Sequence, residues 1–467
     1  MLLKNRAVAQ DCTPSNIIQT YIMQETNLLS ARERADIINL IKREVVPATG
    51  CTEPVAVALA VARAMEIVPE DYFMATPAGR PFSIKVSLSG NMIKNAMGVG
   101  IPGTGMTGLP IAIALGATIA DSSRGLDILS SVTPLIVERA RQAWLGDSDA
   151  IEVKLEQGPC DKLYIDARVM FMNKCVGRAV ISGNHTNIVL VESDGKIIID
   201  KTTATANDET ASHDPELTMA RVWDLAMNTP VEDLKFILEA RRLNKYVAEQ
   251  AMIGEYGHRV GRTLHCARQR AVMGDSVFSR ILSYTSAACD ARMGGAPYTV
   301  MSNSGSGNQG IAATIPVVVY AEETYADEAT TIRALTLSHL TAIYIKQSLG
   351  RLSALCGCVV AATGSAAAIC YLMGGDYDKV CGTVKNMVAN ITGMICDGAK
   401  PSCALKLTSG VSTAVLSAMV AMEGQTVGSL EGIVDDDVDR TVHNLTLIGR
   451  EAMNVTDQYI LNIMTSK

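Results

Sequence analysis

Nowhere does this sequence carry a block of lysine or arginine, and 41 basic against 48 acidic residues leave a formal charge of -7. That removes the electrostatic footprint of a nucleic-acid or anionic-membrane binder. Aromatic residues are only 4% and charged residues 19%, whereas 48% are hydrophobic and 37 are glycine. Such a chain folds, and it packs through small side chains. The opening MLLKNRAVAQDC lacks a sustained apolar h-region and a small-residue cleavage site, so no secretory signal is read and a cytoplasmic location is expected. HExxH, a Cys/His zinc framework and GxSxG are absent as well, which lowers zinc and serine hydrolysis as explanations. Small-molecule chemistry is the default that remains.

At 467 residues the chain has room for two or three domains of roughly 150 residues each. Residues 1–30 carry no strong pattern and read as an N-terminal extension. From Ser30 the run SARERADIINLIKREVV has helical spacing, and Ser30 with Glu33 forms a capping-box pattern. VAVALAVARAMEIV is too long an apolar run for one strand and predicts a helix; SIKVSLSG predicts a strand. Between Ala150 and Asp200, short runs with period-two alternation predict an antiparallel meander. Beyond Glu216 the runs lengthen and become helical. The expected class is α+β: an N-terminal α/β region with an antiparallel sheet over 31–215, then a mostly helical domain over 216–467. Leu352–Gly375 is uncharged throughout but dominated by Ala, Gly, Ser, Thr and Cys, so a buried, close-packed helix is expected there and no membrane span.

Several stretches carry chemical groups. In PATGCTEP, Cys51 precedes a helix start at Thr52 or Glu53; the helix dipole and free amides there lower a thiol's pKa and suit it to act as base or nucleophile. MGVGIPGTGMTGLP lacks the GK[ST] ending of a phosphate loop and reads as a tight loop near a site. Just before it, Lys94 and Asn95 are candidates to hold an anionic ligand. MSNSGSGNQG offers Asn303, Ser304, Ser306, Asn308 and Gln309 on a glycine-permissive backbone, suited to the head of an amino acid. Arg292 can clamp a carboxylate bidentately. Among six histidines, His185 is the best placed for a site.

Of the twelve cysteines, most are expected to be free, buried thiols. Cys396 and Cys403 bracket the Gly398 and Pro401 turn of ICDGAKPSC, and the helix upstream offers Cys356 or Cys358. Three thiolates can hold three irons of a 4Fe–4S cluster and leave the fourth open as a Lewis acid.

PATGCTEP, IPGTGMTGLPIA, GNHTNIV, CDARMGG, MSNSGSGNQG, RLSALC and GMICDGAKPSCALK, in this order, resemble the L-cysteine desulfidase family. That family is related to the iron–sulfur L-serine dehydratases through their α-chain domain. The similarity runs from about residue 35 to the C-terminus. The resemblance implies that Cys356, Cys396 and Cys403 hold an oxygen-sensitive 4Fe–4S cluster, with Cys358 as packing, and that Cys51 is the base for the substrate's α-proton. It also implies conversion of L-cysteine to pyruvate, ammonium and hydrogen sulfide through 2-aminoacrylate. The alternatives are an iron–sulfur L-serine dehydratase and, from another class, a non-catalytic iron–sulfur redox sensor. A small amino acid is the expected partner, nucleic acid and membrane are not, and a homo-oligomer is left open.

Overall fold

The structure, a computed structural model, describes residues 28–74, 82–130, 132–202, 214–350 and 353–466. Most of the expected extension, residues 1–27, lies outside the described residues. Helix α1 (Ala31–Glu44) opens on the capping box read from the sequence: the Ser30 side chain accepts from the Glu33 amide and Glu33 bonds back to Ser30. Strand β1 (Pro47–Thr49) leads into α2 (Thr52–Glu66), an Ala- and Val-rich helix buried along most of its length. Strand β2 (Phe82–Leu88) buries Ile84, Val86 and Leu88 on one face, as a period-two pattern requires. Helices α3 (Gly90–Ala96) and α4 (Leu109–Ile119) follow. Strands β3 (Ile151–Leu155), β4 (Tyr164–Phe171), β5 (Lys174–Ser182), β6 (Ile188–Ser193) and β7 (Lys196–Asp200) complete the sheet.

The sheet order is β3-β2-β4-β5-β6-β7. The antiparallel meander holds from β4 to β7, but β3 departs from it: it pairs in parallel with β2, and β2 sits between β3 and β4. The helices between β2 and β3 supply the crossover that a parallel pair needs. Helix α2 packs between α4 and strands β4 and β5. Glycines permit this: a Cβ on Gly116 would lie 2.3 Å from the Ala58 carbonyl oxygen, and one on Gly177 would lie 2.2 Å from that of Ala64.

The helical part contains α5 (Val277–Met293), the short strand β8 (Thr299–Met301), α6 (Gly307–Glu323), α7 (Glu328–Leu349), α8 (Gly357–Leu372), α9 (Tyr377–Ile391), α10 (Cys403–Met422) and α11 (Met453–Thr465). The uncharged stretch forms α8, which packs against α6, α7, α9 and α10. Its small residues allow close approach; a Cβ on Gly364 would stand 2.2 Å from the Ser338 carbonyl oxygen. Helix α10 is apolar and long enough to cross a membrane, yet 56% of its apolar window is buried within the fold.

Two apolar cores result, one around the sheet and α2, the other among the helices. Helix α1 packs with the helical core: Ile37, Leu40 and Ile41 are buried in the same apolar cluster as Leu225 and Leu335. The chain therefore enters the sheet part only after Cys51.

Candidate active site

Strand β1 pairs antiparallel with β8, matching Pro47 to Met301 and Thr49 to Thr299. The pairing extends past β8, because the Ser302 and Ser304 amides donate to the Val46 and Glu44 carbonyls at 2.8 and 2.9 Å. This ladder fixes PATGCTEP against MSNSGSGNQG. Gly50 then turns the chain with φ +73°, and its α-carbon faces Pro102 so closely that a Cβ would be 2.8 Å from the Pro102 Cγ. The glycine-rich loop is closed by its own backbone, with Ile101 bonded to Met106 and Gly108 to Val99. It packs against the site and forms a support, as its sequence suggested.

On the other side, Ser304 and Gly305 adopt positive φ, and Ser306 caps α6 by accepting from the Gln309 amide. The cysteine segments are tied together as directly. Leu355 and Ile395 form an antiparallel bridge, the Cys356 amide donates to Met394 at 3.0 Å and the Cys396 amide to Ala354 at 2.6 Å. Gly398, at φ +92°, lies against the Lys94 carbonyl, where a Cβ would be 2.0 Å away.

These segments border one cavity of about 780 Å³. Cys51, Arg292, Ser304, Ser306 and Asn308 line it, as do Asn95, His185 and the three cysteines Cys356, Cys396 and Cys403. Cys358 is in the wall beside Cys356. Four helices present their first residues to this space: α2 after Cys51, α6 at Asn308 and Gln309, α8 after Cys356, and α10 at Cys403. Their partial positive charges and free amides favour anionic occupants.

Two expected residues are elsewhere. Lys94 is 3% exposed and ion-paired with Asp457 on α11, its carbonyl lies against Gly398 of the cysteine loop, and its charge acts on Cys396. Asn303 is fully buried and donates to both Nδ1 and the carbonyl of His339 at 3.1 Å, which holds the loop to α7. Its polar groups are consumed by the fold. The sequence reading also missed Lys346, which reaches the cavity wall from α7; a single lysine inside TAIYIKQSL is the signal that could have found it.

The electrostatics correct one expectation. Cys51 does cap a helix N-terminus, but burial pushes its thiol up to about 12, with the Arg292 guanidinium pulling the other way. Desolvation wins over the dipole because Cys51 is buried, at 2% exposed. Arg292 itself is 7% exposed and donates to Asn308 Oδ1 at 3.2 Å and to the Gly50 carbonyl at 3.1 Å. Among the described residues it has no carboxylate partner, an unusual state for a buried cation.

The donor set suits an iron–sulfur cluster: three soft sulfur ligands on bridged backbone segments, facing helix N-termini that offset the charge of bound thiolates. Among the described residues no three His, Cys, Asp or Glu side chains are already closed to metal-ligand spacing. The thiols share a wall, and holding a cluster requires them to turn toward a common centre.

The family described as serine dehydratase alpha chain matches residues 123–462. A UPF0597 protein of Bacteroides thetaiotaomicron is 57% identical over 93% of this chain and 98% of its own length. One from Phocaeicola vulgatus is 55% identical over 94% and 99%, and one from Porphyromonas gingivalis 54% identical over 92% and 98%.

Proposed function

Because the chain belongs to the serine dehydratase alpha chain family, we propose that it is an iron–sulfur-dependent lyase that converts L-cysteine to pyruvate, ammonium and hydrogen sulfide. The observation that carries this reading is the shared cavity, lined by Cys51, by a buried Arg292 with no carboxylate partner among the described residues, and by Cys356, Cys396 and Cys403. Those three cysteines would hold a 4Fe–4S cluster. When bound, a cluster with one iron free of protein ligands supplies a Lewis acid for the departing β-substituent.

The chain's own residues do the rest. Arg292 takes the substrate carboxylate, and the hydroxyl and amide groups of Ser304, Ser306 and Asn308, with Asn95 at the rim, orient the head. Cys51, as the thiolate stabilised by Arg292 and the α2 amides, removes the α-proton. The Cα–H and Cβ–S bonds break and Cα=Cβ forms, giving 2-aminoacrylate. Cys51 returns its proton to the released sulfide; tautomerisation and hydrolysis of 2-aminoacrylate then give pyruvate and ammonium. Burial pushes the Cys51 thiol up to about 12, so forming its thiolate is the demanding step.

A second reading is L-serine as substrate with hydroxide leaving, favoured by the family's description. PATGCTEP favours the thiol, since serine dehydratases are expected to carry a histidine-containing motif there. The test compares sulfide release from L-cysteine with pyruvate formation from L-serine on anaerobically reconstituted protein. A higher kcat/KM with L-cysteine is expected; turnover of L-serine without sulfide release from L-cysteine would overturn the choice.

A further inference from the structure

Among the described residues, two buried polar atoms of cavity-lining side chains have no partner: the carboxamide oxygen Oε1 of Gln309 and Nε of Arg292. Gln309 is 4% exposed and Arg292 7%, so water does not readily satisfy either, and an unmet buried hydrogen-bonding group is costly. Gln309 Oε1 is an acceptor; Arg292 Nε packs against Gly307, where a Cβ would be 2.2 Å away, and its guanidinium supplies a cation. Together they complement a zwitterion, whose ammonium donates and whose carboxylate accepts. The backbone holds the acceptor in place. Gln309 is in the first turn of α6, with its amide bonded to the Ser306 hydroxyl at 3.4 Å. Its carboxamide lies across Gly357, where a Cβ would be 3.0 Å from its Cδ and 3.2 Å from its Nε2. Gly357 separates Cys356 from Cys358, so the lack of a side chain there is what lets Gln309 reach the cysteine wall.

We propose that Gln309 is a specificity-determining residue that accepts a hydrogen bond from the substrate's α-ammonium, making the site selective for free α-amino acids over the corresponding carboxylic acids. This rests on reading the cavity as an amino-acid site but not on which β-substituent leaves. A neutral acceptor suits the place, because a carboxylate would add negative charge beside the thiolates. With Arg292 on the carboxylate and Gln309 on the ammonium, the Cα substituents are held in a fixed sense relative to Cys51.

The test is calorimetric titration of anaerobically reconstituted protein with L-alanine, which has the head but no leaving group, and with propionate, which lacks the ammonium. Wild-type protein should prefer L-alanine. Gln309→Leu should weaken L-alanine binding roughly 10- to 100-fold, as expected for a lost hydrogen bond to a charged group, and leave propionate binding unchanged. KM for L-cysteine should rise in step, whereas Gln309→Glu, which keeps an acceptor, should keep the preference. If Gln309→Leu fails to load iron, Gln309→Met, of similar length, carries the same expectation. A variant lacking the acceptor that still prefers L-alanine as wild type does would overturn the role of Gln309 and leave the amino-acid site standing. Wild-type protein that binds neither L-alanine nor L-cysteine would overturn both.

Discussion

Cys51 and Cys356 occupy the same local position in two parts of the molecule: each caps the N-terminus of a long helix and neither makes a side-chain capping bond. Their burial is similar, at 2% and 4% exposed. Their thiols nevertheless shift in opposite directions. Cys356 is pulled down, chiefly by the hydrogen bond from Cys358 and further by the charge of Lys406, while Cys51 is pushed up by burial with Arg292 as its main opposing charge. The helix N-terminal position is common to both; what separates them is that the thiol and the backbone amide of Cys358 both bond to Cys356. The difference suits Cys356 to the proposed ligand role and leaves thiolate formation as the demanding step at Cys51.

The largest expected effect separates the two positions. Replacing Cys356, Cys396 or Cys403 by Ala should abolish both iron retention and activity, measured as iron and acid-labile sulfide after anaerobic purification. Cys358→Ala should retain both, and loss of iron in that variant would move the ligand role to Cys358. Next is Arg292→Lys, which keeps the charge near Cys51 but loses the planar fork. KM for L-cysteine should rise roughly 10- to 100-fold with iron content unchanged; an unchanged KM would remove Arg292 from carboxylate binding.

The last expected effect is on stability and not on chemistry, and it centres on the partner of Asn303. His339 is fully buried and pushed down to about 3 by desolvation. Its Nδ1 accepts from Asn303, and Thr314, whose hydroxyl donates to Gly310, stands 3.0 Å from its Nε2. The unfolded chain binds this proton near pH 6.5 and the folded chain does not. Stability is therefore full above about pH 6.5 and is lost as pH falls toward about 3, by at most about 5 kcal/mol. His339→Gln should flatten the fall of melting temperature between neutral and mildly acidic pH; an unaltered slope would show that other groups set it.

Local signals in the sequence carried far. The Ser30 and Glu33 cap, the apolar α2 and α8 and the period-two strands β4 to β7 all formed where their patterns placed them, because each depends on neighbours a few residues away. Long-range partners were not legible. The β1–β8 ladder joins Thr49 to Thr299 across the chain, β2 inserts between β3 and β4, and α1 joins the helical core. The candidate site shows the same division. Cys51, Arg292, Ser306 and the three cysteines share a cavity, as their chemical types suggested. Lys94 and Asn303 have equally suitable side chains, but Asp457 and His339 hold them away. No local pattern names a partner so distant in the chain. Burial misled the reading of Cys51 for the same reason, since the fold desolvates its thiol and brings Arg292 beside it from far along the chain.

The most direct measurement is made on Cys51→Ala, reconstituted anaerobically and assayed for iron, acid-labile sulfide and hydrogen sulfide release from L-cysteine. Wild-type iron and sulfide content with turnover lowered roughly 10²- to 10⁴-fold, the range for a lost general base, is the predicted result. Wild-type turnover in a fully loaded variant would contradict the assignment of Cys51 as the base.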